Sequence, residues 1–90
     1  MTVTILSPRR TLFEGEARSV FLPGDLAEFE ILDYHAPIVS LLRTGHVVID
    51  GSIRIPVPRG LMQFDRNACV ILVEADGRAA NTDKEVARSG

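Results

Sequence analysis

The run "HVVIDGSIRIPV", residues 46–57, constrains the fold of this chain more than any other stretch. Two segments of alternating apolar and polar residues flank Asp50-Gly51. That dipeptide suits a two-residue hairpin turn, in which both central residues need positive φ. On the second arm Ile53, Ile55 and Val57 share one face, and Ser52, Arg54 and Pro56 the other. Alternation broken by turn residues recurs along the chain and predicts an all-β domain.

In "TVTIL" Val3 and Ile5 face one way and Thr2 and Thr4 the other. "TLFEGEARSVFLPG" reads as a strand, a Glu14-Gly15 turn and a second strand ending at Pro23-Gly24. In "LAEFEIL", Leu26, Glu28 and Glu30 oppose Ala27, Phe29 and Ile31. "LMQFDRNACVILVE" is a second hairpin with Asp65-Arg66-Asn67 as its turn. Its last strand, Cys69 to Val73, is apolar on both faces and is expected to be central or doubly covered. Pro56 and Pro58, two residues apart, remove amide donors from one side of a strand, which places them at a sheet edge or a strand end. Beyond Glu74 the large apolar residues almost vanish. Thr82 or Asp83 could cap a short helix through "KEVAR", but no apolar stripe would hold it. The chain is therefore read as a β domain over 1–75 and a polar tail over 76–90, expected to be frayed or disordered.

Ninety residues make one small domain with a correspondingly small core. A net charge of −2, with scattered basic residues, argues against a nucleic-acid partner. Cys69 is the single cysteine, so neither an internal disulfide nor a cysteine-built metal site is available. No apolar run is long enough to span a bilayer as a helix. The first residues lack the basic-then-apolar pattern of a leader, and a reducing, cytoplasmic compartment is expected.

The stretch "LDYHAPIVSLL" places Asp33, His35 and Ser40 close together in sequence. Those three residue types could build a small hydrolase, but Ser40 lies in an apolar run with no glycine elbow around it. His35 and His46, with Asp33 or Asp50, match no metal-ligand spacing. No glycine-rich phosphate loop is present. Catalytic, cofactor-binding and metal residues are accordingly expected to be none. His35 reads instead as a turn residue at a contact surface, with Ala36-Pro37 as a fixed bend leading into a buried strand that contains Ser40. "LPGDLAEFE" joins two strands and carries an exposed Leu26 between acids, the type of loop that serves recognition.

Taken in order, Phe13-Glu14-Gly15-Glu16, Leu22-Pro23-Gly24, "FEIL", His35-Ala36-Pro37 and "RGLMQFDRNACVILVE" resemble the amino-terminal domain of the epsilon subunit of F-type ATP synthases. The likeness covers residues 2 to about 75. It implies a ten-stranded β-sandwich of two five-stranded sheets. It also implies a non-catalytic rotor subunit that couples gamma to the ring of c subunits during ATP synthesis and proton transport. Carried over by position, Asp25, Leu26, Ala27 and Glu28 would meet the c ring, and His35, Ala36, Pro37 and Ile38 would meet gamma. The resemblance further implies a place on the cytoplasmic face of the bacterial plasma membrane, peripheral and held there through the complex. Many relatives carry glycine at the positions of Ala27 and Glu30, Pro-Gly in place of Asp33-Tyr34, and Ser-Gly-Gly in place of Pro58-Arg59-Gly60. Most also continue as a two-helix hairpin, of which "KEVARSG" is a faint remnant, so an inhibitory carboxy-terminal function is expected to be lost. A freestanding β-sandwich adaptor in another assembly is the alternative reading, with the hydrolase built on Asp33, His35 and Ser40 behind it.

Overall fold

The computed structural model describes residues 1–75; the expectations for the polar tail lie outside the described residues. Nine strands form in order: β1 (Thr2–Leu6), β2 (Thr11–Glu16), β3 (Ser19–Leu22), β4 (Phe29–Leu32), β5 (Ile38–Leu42), β6 (Gly45–Ile49), β7 (Ile53–Val57), β8 (Gly60–Asp65) and β9 (Ala68–Val73). They make two sheets, one ordered β2-β1-β9-β8-β5 and the other β4-β3-β6-β7. β1 and β9 pair in parallel, and all other neighbours are antiparallel.

The alternation read from sequence decides what fills the space between the sheets. Val3 and Ile5 of β1 stand in register with Cys69 and Ile71 of β9, and those with Phe64 and Met62 of β8. All six are buried, facing Val20, Leu22, Ile31, Val47 and Ile49 from the other sheet. Fully burying a side chain of this size stabilises by about 1.5–3 kcal/mol, so this shared layer is the main source of stability. Burial pushes the Cys69 thiol up to about 12, which leaves it protonated and inert near neutral pH.

Both hairpins form. Asp50 and Gly51 have φ of 51° and 72°, and the Ser52 amide donates to the Ile49 carbonyl at 3.1 Å. In the second hairpin Asp65 pairs with Ala68, so the turn shortens to Arg66-Asn67, both at positive φ. Pro56 lies on β7, the edge of its sheet, and Pro58 follows the strand end.

Three expectations are corrected. Glu14-Gly15 is not a turn: both residues lie inside β2, paired with Thr4 and Val3 of β1, and the chain changes sheets at Ala17-Arg18. Ala36-Pro37 is not the bend; the turn falls at Asp33-Tyr34, with Tyr34 at φ 65°. There are nine described strands, five and four, not ten. After β3 the chain crosses to the five-stranded sheet but makes only one bridge, Gly24 to Leu42. Two bonds of 2.9 Å flank it, Asp25 amide to Leu41 carbonyl and Arg43 amide to Pro23 carbonyl. Pro23 has no amide to extend the ladder. Past Gly24 the chain folds back, so that a Cβ there would lie 2.4 Å from the Ala27 carbonyl oxygen.

Candidate functional site

The polar residues of "LDYHAPIVSLL" are each tied to something else. Asp33 forms an ion pair with the buried Met1 ammonium, which also donates to the Ala17 carbonyl at 2.8 Å. His35 donates from Nδ1 to the Ala36 carbonyl at 2.7 Å, and its ring meets Phe64 edge-to-face at 6.1 Å. Ser40 lies on β5 as expected, half-buried, with its hydroxyl donating to the Leu41 carbonyl at 3.0 Å. Catalysis would need a serine–histidine–aspartate relay, and these bonds leave none. No three His, Cys, Asp or Glu side chains cluster as a metal site among the described residues.

Asp50 also has a structural role. Its carboxylate accepts the Arg18 amide at 2.7 Å and the Ser19 amide at 3.1 Å, which fastens the first hairpin to the start of β3. These bonds, the Arg18 one foremost, lower the Asp50 pKa from its ordinary 3.8. A carboxyl whose folded pKa is depressed adds stability above its unfolded pKa and loses it as pH falls through the folded value. Asp50→Asn keeps an accepting oxygen and a residue suited to the turn. The variant is therefore expected to lose less stability than the parent between about pH 5 and about pH 3, read from urea midpoints. Identical acid-side losses would remove Asp50 from this role.

What remains uncovered is apolar. β9 is central in its sheet, as expected from its sequence, but it is covered on one face only. On the outer face Leu6, Leu72, Leu61 and Leu41 lie in register across β1, β9, β8 and β5. Leu72 is 49% exposed and Leu41 61%. Val39, beside them on β5, is exposed as well. β5 is thus a half-exposed edge strand and not the buried strand its apolar run suggested. Three aligned leucines open to solvent, continued by a half-buried Leu6, are more than the scattered surface apolars of a typical monomer. Arg43 and Arg59 stand at one end of the row, in a groove of about 600 Å³ that Leu41, Leu61 and Leu72 also line. The only described partner of Arg59 is Glu74 at 3.8 Å, an exposed pair that contributes little. A sign of this face was present in the sequence: β8 and β9 carry apolar residues on both faces.

The loop over residues 25–28 joins β3 to β4, and all four of its residues are exposed; Leu26 is 98% exposed. It stands against β5 across an apolar groove of about 530 Å³, whose charge comes from Asp25 and Glu28. Ile38 lines this groove with Val39 and Leu41, so two of the regions singled out from sequence meet there. His35, Ala36 and Pro37 do not line it; they form the exposed link that leads into β5. The Tyr34 amide donates to the Asn67 Oδ1 at 2.7 Å, which ties that link to the second hairpin turn.

The family model of the ATP synthase delta/epsilon chain β-sandwich domain matches residues 1–79. The ATP synthase epsilon chain of Sulfurovum sp. (strain NBC37-1) is 31% identical over 93 residues, covering 99% of this chain and 73% of the relative. That of Campylobacter fetus subsp. fetus (strain 82-40) is 37% identical over 90 residues, covering 94% and 70%. Among solved structures, a chain in the central stalk and c-ring of the Tetrahymena thermophila mitochondrial ATP synthase superposes with a TM-score of 0.66 at 16% identity. That match covers 94% of this chain and 72% of the other, and it is a likeness of fold.

Proposed function

Because the chain belongs to the family of ATP synthase delta/epsilon-chain β-sandwich domains, we propose that it is a non-catalytic central-stalk subunit coupling gamma to the c-subunit ring. One observation carries the mechanical part of this reading: the open leucine row on a sandwich that is otherwise well filled. A stiff body with an apolar face and an acidic loop beside it can join two partners without any chemistry of its own. Gamma covers the row Leu41, Leu61 and Leu72, with His35, Ala36, Pro37 and Ile38 bordering that contact. The exposed Asp25, Leu26, Ala27 and Glu28 meet polar loops of the c ring. Leu26 supplies the apolar centre of that second contact, and the carboxylates its orientation. Turning of the ring and of gamma then becomes one motion. The chain acts at the cytoplasmic face of the bacterial plasma membrane, held there through the complex; no helix among the described residues is long and apolar enough to cross a membrane.

The direct test is affinity capture of the tagged chain from detergent-solubilised membranes. Recovery of gamma and the c ring is expected, and recovery of neither would end this reading. Glu28→Lys is expected to weaken ring retention by about fivefold, since an exposed charge pair contributes up to about 1 kcal/mol. ATP-driven proton pumping should fall with it, while capture of gamma holds. Unchanged pumping would remove Glu28 from the contact.

A further inference from the structure

β5 is an edge strand whose outer side is only partly used. The Leu41 carbonyl accepts the Asp25 amide, so in β5 the odd-numbered residues turn their backbone groups away from β8. By that alternation the Val39 amide, the Val39 carbonyl and the Leu41 amide also point outward. Among the described residues none of these three groups has a partner. They face the groove between β5 and the loop over 25–28, which no basic side chain lines among the described residues. An open edge of unpaired donors and acceptors is a template for another strand.

We propose that this edge takes up an extended segment of gamma by strand addition, alongside Val39 and next to the Gly24–Leu42 bridge. Three features define the segment. Its backbone bonds the three outward groups. Its alternate side chains are apolar, because an added strand places them beside Val39 and Leu41 and lengthens the leucine row. It also carries a Lys or Arg, which answers Asp25, the acid held at this edge. This inference rests on the stalk reading and deepens it: the β5 edge would fix the angle at which the partner leaves the sandwich, which side-chain contacts alone leave loose.

Hydrogen–deuterium exchange, resolved to single amides by mass spectrometry, tests it on the full chain alone and in the assembled rotor. The Val39 and Leu41 amides are expected to exchange freely in the isolated chain and to slow by about a hundredfold on assembly. Val39→Pro removes the outward donor and leaves the β8 side of the ladder intact, because proline is tolerated at a sheet edge. It is expected to reduce rotor retention by about tenfold, whereas Val39→Thr retains binding. Assembly with Val39 still unprotected overturns the proposal and leaves the stalk reading standing. Protection already present in the isolated chain also overturns it, because the chain's own residues 76–90 would then occupy the edge. Failure of the chain to assemble at all sinks both.

Discussion

Replacing Leu41 and Leu61 together by aspartate is expected to abolish capture of gamma while the sandwich stays folded. Both side chains lie on the outer face, in register on β5 and β8, and neither belongs to the buried layer. In the free subunit the change exchanges half-exposed apolar surface for charge, and the two carboxylates, directly opposite across β5 and β8, repel at a cost of up to about 1 kcal/mol. In a complex it would bury two carboxylates against a surface selected for leucine. Interface hot spots contribute about 2 kcal/mol or more each, so the pair should weaken binding by about a thousandfold. A melting curve within a few degrees of the parent, alongside failed capture, is the expected combination. Capture at parental strength would show that the leucine row is not the gamma surface. Leu41→Met with Leu61→Met, which keeps volume and apolarity, should bind normally.

The second large effect falls on stability. Gly60 opens β8 and faces Val73 of β9. A Cβ at this position would lie 2.3 Å from the Leu72 carbonyl oxygen and 3.0 Å from the Val73 Cα. Both are backbone atoms, so no side chain can rotate aside and the two strands must separate. Gly60→Ala is therefore expected to cost roughly 3 kcal/mol or more, a large share of the stability of a small domain. The melting temperature should drop by at least about 12 °C. Gly51→Ala is the contrast: its site has open space but a φ of 72°, so only local backbone strain of about 1 kcal/mol is expected. Equal melting temperatures for Gly60→Ala and the parent would contradict the close approach of β8 and β9.

Features set by neighbouring residues were legible in the sequence, and features set by distant ones were not. The Asp50-Gly51 turn, the inward face of β1 and the edge position of Pro56 follow from alternation and turn chemistry within a few residues. Glu14-Gly15 also looked like a turn, because glycine usually interrupts a strand. It stays extended because β1 supplies Val3 opposite Gly15 from twelve residues away. Tyr34 has no local preference for positive φ, and a bulky residue there is strained. Two distant contacts hold the turn, Asp33 to the Met1 ammonium and the Tyr34 amide to Asn67. The same division applies to the proposed binding surface. The exposed loop over 25–28 could be named from its acids and its isolated leucine. The leucine row could not, because its members come from four strands and become neighbours only once the register is set.

The parallel pairing of β1 with β9 has a consequence for the order of events during synthesis. These are the first and the last strands described, and they lie side by side in the middle of the five-stranded sheet. The four-stranded sheet can assemble from residues 19–57 as they emerge, but the other has no centre until residue 73 is available. Contacts of such long sequence separation must close a large loop before they return any stabilisation, which makes them slow. Until then β1 and β2 wait as a two-stranded ribbon that is at best marginally stable in water, with Val3, Ile5 and Leu6 uncovered. The nascent chain is most exposed to wrong partners during that interval, and the arrival of a single strand ends it.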